Sequence, residues 1–210
     1  MPSILRPMAV GGSFLGEPPA DDGAAAAYEE DRAADGYVGN VTRLWSWRPD
    51  LADEFRGIRS RLMESSSLEH RDFAVLVAAT AGVLGDSYCS LAWGQKLAAA
   101  SDAETAAAVI VGELPESLSV RERALARWAR LVVRDPNGTT PADVERLREA
   151  GLSDREIFEA TLFVGLRLAF SSVNDALGAA PDRQLVDAVP EAVRAAVTFG
   201  RPPAAEPSPA

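Results

Sequence analysis

Ser119-Val120-Arg121-Glu122-Arg123-Ala124-Leu125-Ala126 carries its own start signal for a helix. The Ser119 hydroxyl can accept from the backbone three residues on, and the Glu122 carboxylate can reach back to the Ser119 amide, which is the reciprocal capping box. The same spacing recurs in Ser101-Asp102-Ala103-Glu104 and Ser153-Asp154-Arg155-Glu156, and Thr140-Pro141 adds a cap followed by proline at the first helical position. Outward from these starts, no segment sustains the period-two alternation of a strand, and punctuation such as Asp135-Pro136-Asn137-Gly138 falls between helical runs. The pattern predicts an all-α fold of about eight helices, roughly at 40–64, 69–84, 86–99, 102–111, 119–134, 140–149, 153–178 and 190–198.

A chain of 210 residues can bury one sizeable core. Residues 16–27 are rich in Pro, Asp, Gly and Ala, and 201–210 are mostly Pro and Ala, compositions that bury too little apolar surface to offset ordering. The expected organisation is a flexible segment 1–27, a helical domain 28–199 and a disordered tail 200–210. The net charge is -10 and Lys96 is the one lysine, so no basic stripe exists for nucleic acid or an anionic membrane. Cys89 is the one cysteine and His70 the one histidine, which excludes an internal disulfide and argues against a zinc or haem site; no metal and no cofactor are expected. Met1–Gly16 lacks the apolar run of a secretory signal, and no stretch approaches a membrane span, so a cytoplasmic protein is expected.

The chemistry concentrates in Gly85-Asp86-Ser87-Tyr88-Cys89-Ser90-Leu91-Ala92-Trp93. With Asp86 as N-cap, Cys89 falls at the third helical position, where backbone amides and the macrodipole favour a thiolate. The Asp86 carboxylate works against that ionisation unless a cation offsets it. Arg167 lies in the otherwise apolar run Leu162–Phe170 and needs an anionic partner if buried, so an Asp86–Arg167 ion pair is expected. Each residue keeps two readings. Cys89 is a nucleophile or a small packing group, and Asp86 an acid, base or ligand anchor or only a cap. Tyr88 and Trp93 wall a pocket or fill the core, as do Trp45 and Trp47, while Arg167 is a structural partner or a carboxylate holder. His70 is expected on the surface of a first turn.

Leu68-Glu69-His70-Arg71-Asp72-Phe73 and Leu152-Ser153-Asp154-Arg155-Glu156-Ile157 each open a long apolar helical stretch ending near a polar cluster. The first cluster holds Asp86, Tyr88 and Cys89, and the second Ser171, Ser172, Asn174 and Asp175. This is either an internal two-helix repeat or a commonplace helix start.

Residues 68–97 and 118–177 together resemble the alkylhydroperoxidase D-like (AhpD-like) branch of the carboxymuconolactone decarboxylase family, including its peroxidase-related proteins. The likeness rests on Asn40–Pro49, Ser119–Ala126, Val133-Arg134-Asp135-Pro136-Asn137, Gly151–Ile157 and Asn174-Asp175-Ala176-Leu177. It implies an all-helical, oligomeric protein with a Cys-x-x-Cys pair at a helix start, a glutamate upstream and a histidine four residues after the second cysteine. Carried over, Cys89 matches the peroxide-attacking cysteine, Asp86 stands at the resolving one, Tyr88 at a relay histidine, Trp93 at the following histidine and Ala74 at the glutamate. A sulfenic acid at Cys89 would then need an external thiol reductant, such as glutathione or a partner protein.

The resulting candidates are Cys89, Asp86 and Tyr88 as catalytic residues and Arg167, Trp93 and Asn174 as substrate-binding residues. The resemblance implies a single-cysteine thiol-dependent peroxidase or other antioxidant oxidoreductase acting on a small molecule. The alternatives are a redox-silent lyase- or isomerase-type enzyme on a small organic acid, with Asp86 or Tyr88 handling a proton and Arg167 a carboxylate, or a non-catalytic scaffold. Ala-rich runs such as 98–108 and a 47% hydrophobic composition suggest faces for another copy, in a dimer or a trimer-based homo-oligomer.

Overall fold

The computed structural model describes residues 12–204, and among them every regular element is helical. In chain order these are α1 (Asp22–Asp35), α2 (Asn40–Trp45), α3 (Pro49–Ser65), α4 (His70–Leu84), α5 (Ser87–Ala100), α6 (Ala103–Val111), α7 (Val120–Arg134), α8 (Pro141–Glu149), α9 (Asp154–Ala176), α10 (Arg183–Ala188) and α11 (Glu191–Ala196), with a 3-10 turn at Pro136–Gly138. The reciprocal capping boxes form at Ser119/Glu122, Thr140/Asp143 and Ser153/Glu156, and a further one forms at Glu69/Asp72. At α6 the cap is Asp102 rather than Ser101, its carboxylate accepting from the Thr105 amide at 2.7 Å.

The starts of α4, α7 and α9 meet at one end of the bundle. Arg121, in the first turn of α7, binds Asp72 of α4 at 3.1 Å and Glu156 of α9 at 2.6 Å, while Arg71 of α4 binds Glu122 of α7 at 2.5 Å. Acids in first turns suit the positive ends of these helix dipoles, and the two arginines pair all three, Arg121 holding Asp72 and Glu156 and Arg71 holding Glu122. The two segments of the sequence echo therefore lie side by side, with Asp72 and Glu156 at equivalent third positions held by the same guanidinium. Between the helices, Phe73 and Phe163 pack with centroids 4.7 Å apart, both almost fully buried. Each such side chain contributes about 1.5–3 kcal/mol of burial. Gly82 lets α4 approach α6 closely, because a Cβ there would collide with the Ile110 carbonyl.

About 22 Å further along α4 the chain turns back. Gly85, at φ 74°, ends α4 in the left-handed conformation that glycine adopts without penalty, and Asp86 immediately caps α5. This corner places the start of α5 beside the second half of α9.

Several boundaries differ from the expectations. The expected helix 40–64 is two helices, because Pro49 excludes Arg48 from the helical region and breaks the chain at 46–48. Within the segment expected to be flexible, Asp21 caps α1, accepting from the Ala24 amide at 2.7 Å; the Ala-rich run after it is a good helix former. Helix α10 was unforeseen. Of the expected disordered tail, residues 200–204 are tied to the protein at two points, the Arg201 backbone donating to and accepting from the Ser87 hydroxyl and the Ala204 amide donating to Pro181 O. Residues 1–11 and 205–210 lie outside the described residues. None of the described helices is long and apolar enough to cross a membrane.

Candidate functional site

The site is built at the α4–α5 corner and closed by α9. Asp86 Oδ1 accepts from the Cys89 amide at 2.8 Å, which fixes Cys89 at the third helical position, as its spacing from Asp86 predicted. From α9, Arg167, Ser171 and Asn174 project at i, i+4 and i+7, hence from one face. Arg167 Nη2 donates to Cys89 Sγ at 2.7 Å, and the Ser171 hydroxyl lies 3.9 Å from the same sulfur. Arg167 is 2% exposed, and its guanidinium lies against the rings of Phe170 (4.7 Å) and Trp93 (5.7 Å).

The expected Asp86–Arg167 ion pair does not form. Asp86 Oδ1 is bound to the first turn of its own helix, while Arg167 turns to the sulfur. Asp86 Oδ2 and Arg167 Nε are buried with no hydrogen-bond partner among the described residues. Both groups nevertheless act on the thiol. Burial pushes Cys89 up to about 12; the Arg167 charge lowers it, the Asp86 carboxylate raises it by charge and by hydrogen bonding to the protonated thiol, and Ser171 lowers it. Burial thus outweighs the guanidinium and favours the thiol form of a sulfur set between an acid and a cation.

The remaining candidates divide between this locus and its surroundings. Tyr88 donates to Asp182, and burial followed by that acid raises its pKa well above the ordinary phenol value. Trp93 is 8% exposed and meets Phe163 edge-on, with Lys96 Nζ 4.5 Å from its ring centroid. Asn174 is fully buried; its Oδ1 accepts from Trp45 Nε1 at 2.8 Å and its Nδ2 has no partner among the described residues. Ala74 is core, and His70 lies exposed in the first turn of α4. Thus Cys89, Asp86, Arg167 and Ser171 meet at one buried locus, Asn174 lies further along the same face of α9 and is bound to Trp45, and the Tyr88 hydroxyl is committed to the neighbouring loop. Among the described residues, no cluster of three or more His, Cys, Asp or Glu could hold a metal ion.

Beside this locus lies a cavity of about 220 Å3 lined by Trp45, Phe55, Arg59 and Phe170, among others. Trp45 and Phe170 stack at 5.1 Å with an interplanar angle of 19°. Phe170 thus separates the cavity from the Arg167 guanidinium. Phe55 and Arg59 stand one turn apart on α3, a signal visible in the sequence only as an aromatic followed by a cation four residues on.

The end of the bundle holding Cys89 is also covered by both ends of the described chain. The Phe14 amide donates to Leu177 O, the Ala180 amide to Gly12 O, and Arg201 Nη2 to Asp175 O. Cys89 itself is 2% exposed.

This helical arrangement is similar to that of a peroxidase-related protein of Silicibacter sp. TM1040, with a TM-score of 0.75 at 22% identity over 83% of this chain and 94% of that one. It is also similar to an alkylhydroperoxidase AhpD core, a peroxidase-related protein of Ralstonia eutropha JMP134, with a TM-score of 0.72 at 23% identity over 83% and 94% of the two chains. The debrominase Bmp8, solved as a cysteine-to-alanine variant in complex with 2,3,4-tribromopyrrole, gives 0.65 at 14% identity over 86% and 94%. No protein-family model and no curated protein matches the chain. The fold is therefore the all-α, AhpD-like helical fold that the sequence resemblance implied.

Proposed function

We propose that this chain is a single-cysteine, thiol-dependent oxidoreductase of the AhpD-like kind, with Cys89 as the reacting sulfur. The observation that carries the reading is the contact of Arg167 with Cys89 Sγ: a buried guanidinium whose hydrogen bond goes to a sulfur rather than to a carboxylate. Its charge stabilises a thiolate more than a thiol. Asp86, with one buried oxygen unused, is the group to receive the proton. Moving the proton from Cys89 to Asp86 leaves the net charge of the three groups unchanged, which limits its cost in a buried site. Both named kinds of structural neighbour, the peroxidase-related proteins and the debrominase, are consistent with a redox-active cysteine on this fold.

For a hydroperoxide ROOH, the sulfur attacks the terminal oxygen, the O–O bond breaks, and the thiol proton passes by way of Asp86 to the leaving alkoxide. The products are Cys89 sulfenic acid and ROH. One external thiol R'SH then displaces water to give a mixed disulfide, and a second releases R'SSR' and restores the Cys89 thiol. The sum is ROOH + 2 R'SH → ROH + H2O + R'SSR'. The test is thiol-dependent peroxide consumption by wild type and Cys89→Ser, paired with alkylation of the native protein across pH. Cys89-dependent turnover supports the reading; an unmodified Cys89 with peroxide loss unchanged by the substitution ends it.

A second reading is favoured by the thiol pKa near 12 and the burial of the sulfur. In it, Asp86 and Arg167 serve a redox-silent conversion of a small organic acid, and Cys89→Ser leaves that activity intact while Asp86→Asn removes it. In either case we propose a homo-oligomer, supported by an exposed apolar stripe on α9 that includes Phe158 (66% exposed), Leu162 and Val173. Sedimentation of Phe158→Glu tests it, dissociation being the expected result.

A further inference from the structure

The cavity beside Cys89 carries positive charge that no carboxylate among the described residues pairs with directly. On its wall, Arg56 is paired with Glu30 at 3.1 Å and Asp53 at 2.9 Å. Among the described residues, Arg59, one turn further along α3, makes no ion pair with a carboxylate, and neither does Arg167 behind Phe170 nor Lys96 beyond Trp93. These three cations are close enough to repel: burial, Arg167 and Arg56 all weaken the hold of Arg59 on its proton, while Cys89 strengthens it. In the same way, burial, Arg59 and Arg167 weaken the hold of Lys96 on its proton, against the Asp35 charge. The chain has 31 acidic residues, so the absence of a partner is not for want of acids. Among the described residues lining the cavity, the one acid, Asp31, accepts from the Gly39 amide at 2.9 Å.

The remaining walls are flat and aromatic. Trp45 and Phe170 stack at 5.1 Å and 19°, and Phe55 and Phe170 lie 6.1 Å apart at 23°. At about 220 Å3 the cavity is smaller than the ~300–1,000 Å3 of sites for drug-sized ligands, so it suits a molecule of one ring. Thr42 and Ser46 add hydroxyls on the α2 side.

We propose that this cavity binds a small planar acid, a monocarboxylate carrying one aromatic or heteroaromatic ring, with the carboxylate on Arg59 and the ring against Trp45 and Phe170. The planar guanidinium presents paired donors that match a carboxylate, and the bound anion offsets the mutual repulsion of Arg59, Arg167 and Lys96. The inference names the substrate class of the site proposed above, and rests on that reading only for the chemistry after binding. Phe170, in contact with both the cavity and Arg167, is the residue through which an occupant would reach the sulfur.

Benzoate and its uncharged isostere benzamide are the probes, titrated into the full chain by calorimetry and tryptophan fluorescence. Saturable benzoate binding is expected, with benzamide weaker by about tenfold or more. Arg59→Gln should weaken benzoate by about tenfold and leave benzamide unchanged, and Arg59→Lys should restore part of the loss. Cys89→Ser should bind benzoate as wild type does. Equal affinity for the two probes, no saturable binding of benzoate, or full benzoate binding by Arg59→Gln would each overturn the proposal. Because binding is also measured without the sulfur, failure here is separable from failure of the thiol chemistry: Cys89-dependent peroxide turnover without benzoate binding removes only the anion site, and the reverse removes only the thiol reading.

Discussion

Tyr88 donates to Asp182 at 2.5 Å, joining the first turn of α5 to the loop before α10 across 94 residues of sequence. The same carboxylate accepts from the Asn40 amide at 3.0 Å, so one buried acid ties three segments together. Tyr88→Phe would leave Asp182 with its α2 partner alone. A loss of about 1–3 kcal/mol in urea denaturation is expected, with the alkylation rate of Cys89 unchanged. A fall in turnover at unchanged stability would instead give Tyr88 a proton-handling role and count against this positioning one.

Asp86 combines a structural and a chemical task that one substitution can separate. Asparagine is as good an N-cap as aspartate, so Asp86→Asn should keep α5 and change stability by less than about 0.5 kcal/mol. Removing the carboxylate takes away a charge that holds the Cys89 proton, so the thiol pKa should fall from about 12 and thiolate absorbance appear at lower pH. Thiol-dependent turnover should nevertheless drop, since the proton acceptor is lost. A variant that is both more ionised and more active would remove Asp86 from the mechanism.

Asp175 gives a pH dependence of stability. Burial and the neighbouring Asp86 raise it to about 6 against the opposing Arg201 charge. The folded protein therefore keeps this proton where the unfolded chain has released it, so the contribution is complete below the ordinary value of 3.8 and lost as pH rises through about 6. Asp175→Asn should raise the urea midpoint relative to wild type near pH 7 and leave it unchanged near pH 3. Its partly exposed setting makes the effect modest.

How much the sequence disclosed depended on the range of the interactions involved. Ser119/Glu122 and Ser153/Glu156 could be read because a capping box is closed within four residues, and Cys89 at the third position was legible from Asp86 for the same reason. Helix α1 was obscured because Asp21 and its alanine run sit among prolines and glycines, so composition outweighed the cap. The partner of Arg167 depended on how α9 docks on α5, and local spacing does not encode that docking. Arg59 was invisible for a similar reason: its lack of a carboxylate partner is a property of the assembled cavity, and its surroundings in sequence resemble any charged helix face.

At the opposite end of the bundle, Arg121 spans Asp72 and Glu156, whose side chains are 6% and 11% exposed. Burial works to raise Glu156, but the Ser153 amide, Arg121 and the Ser153 and Ser67 hydroxyls outweigh it and hold the acid at about 2. A depressed pKa stabilises above the unfolded value of 4.5, and that contribution is lost as pH falls through about 2. Arg121→Gln would leave two largely buried carboxylates short of a counter-charge, costing up to about 3–5 kcal/mol, and less to the extent that solvent reaches the 26% exposed arginine side chain. It should also raise the pH at which Glu156 protonates, so the acid-induced loss of stability begins at higher pH than in wild type. Because this network lies a helix length from the sulfur, the Cys89 titration should not move. A shift in that titration on Arg121→Gln would mean that the two ends of α4 and α9 are coupled, and that the helix starts set the register of Arg167 against Cys89.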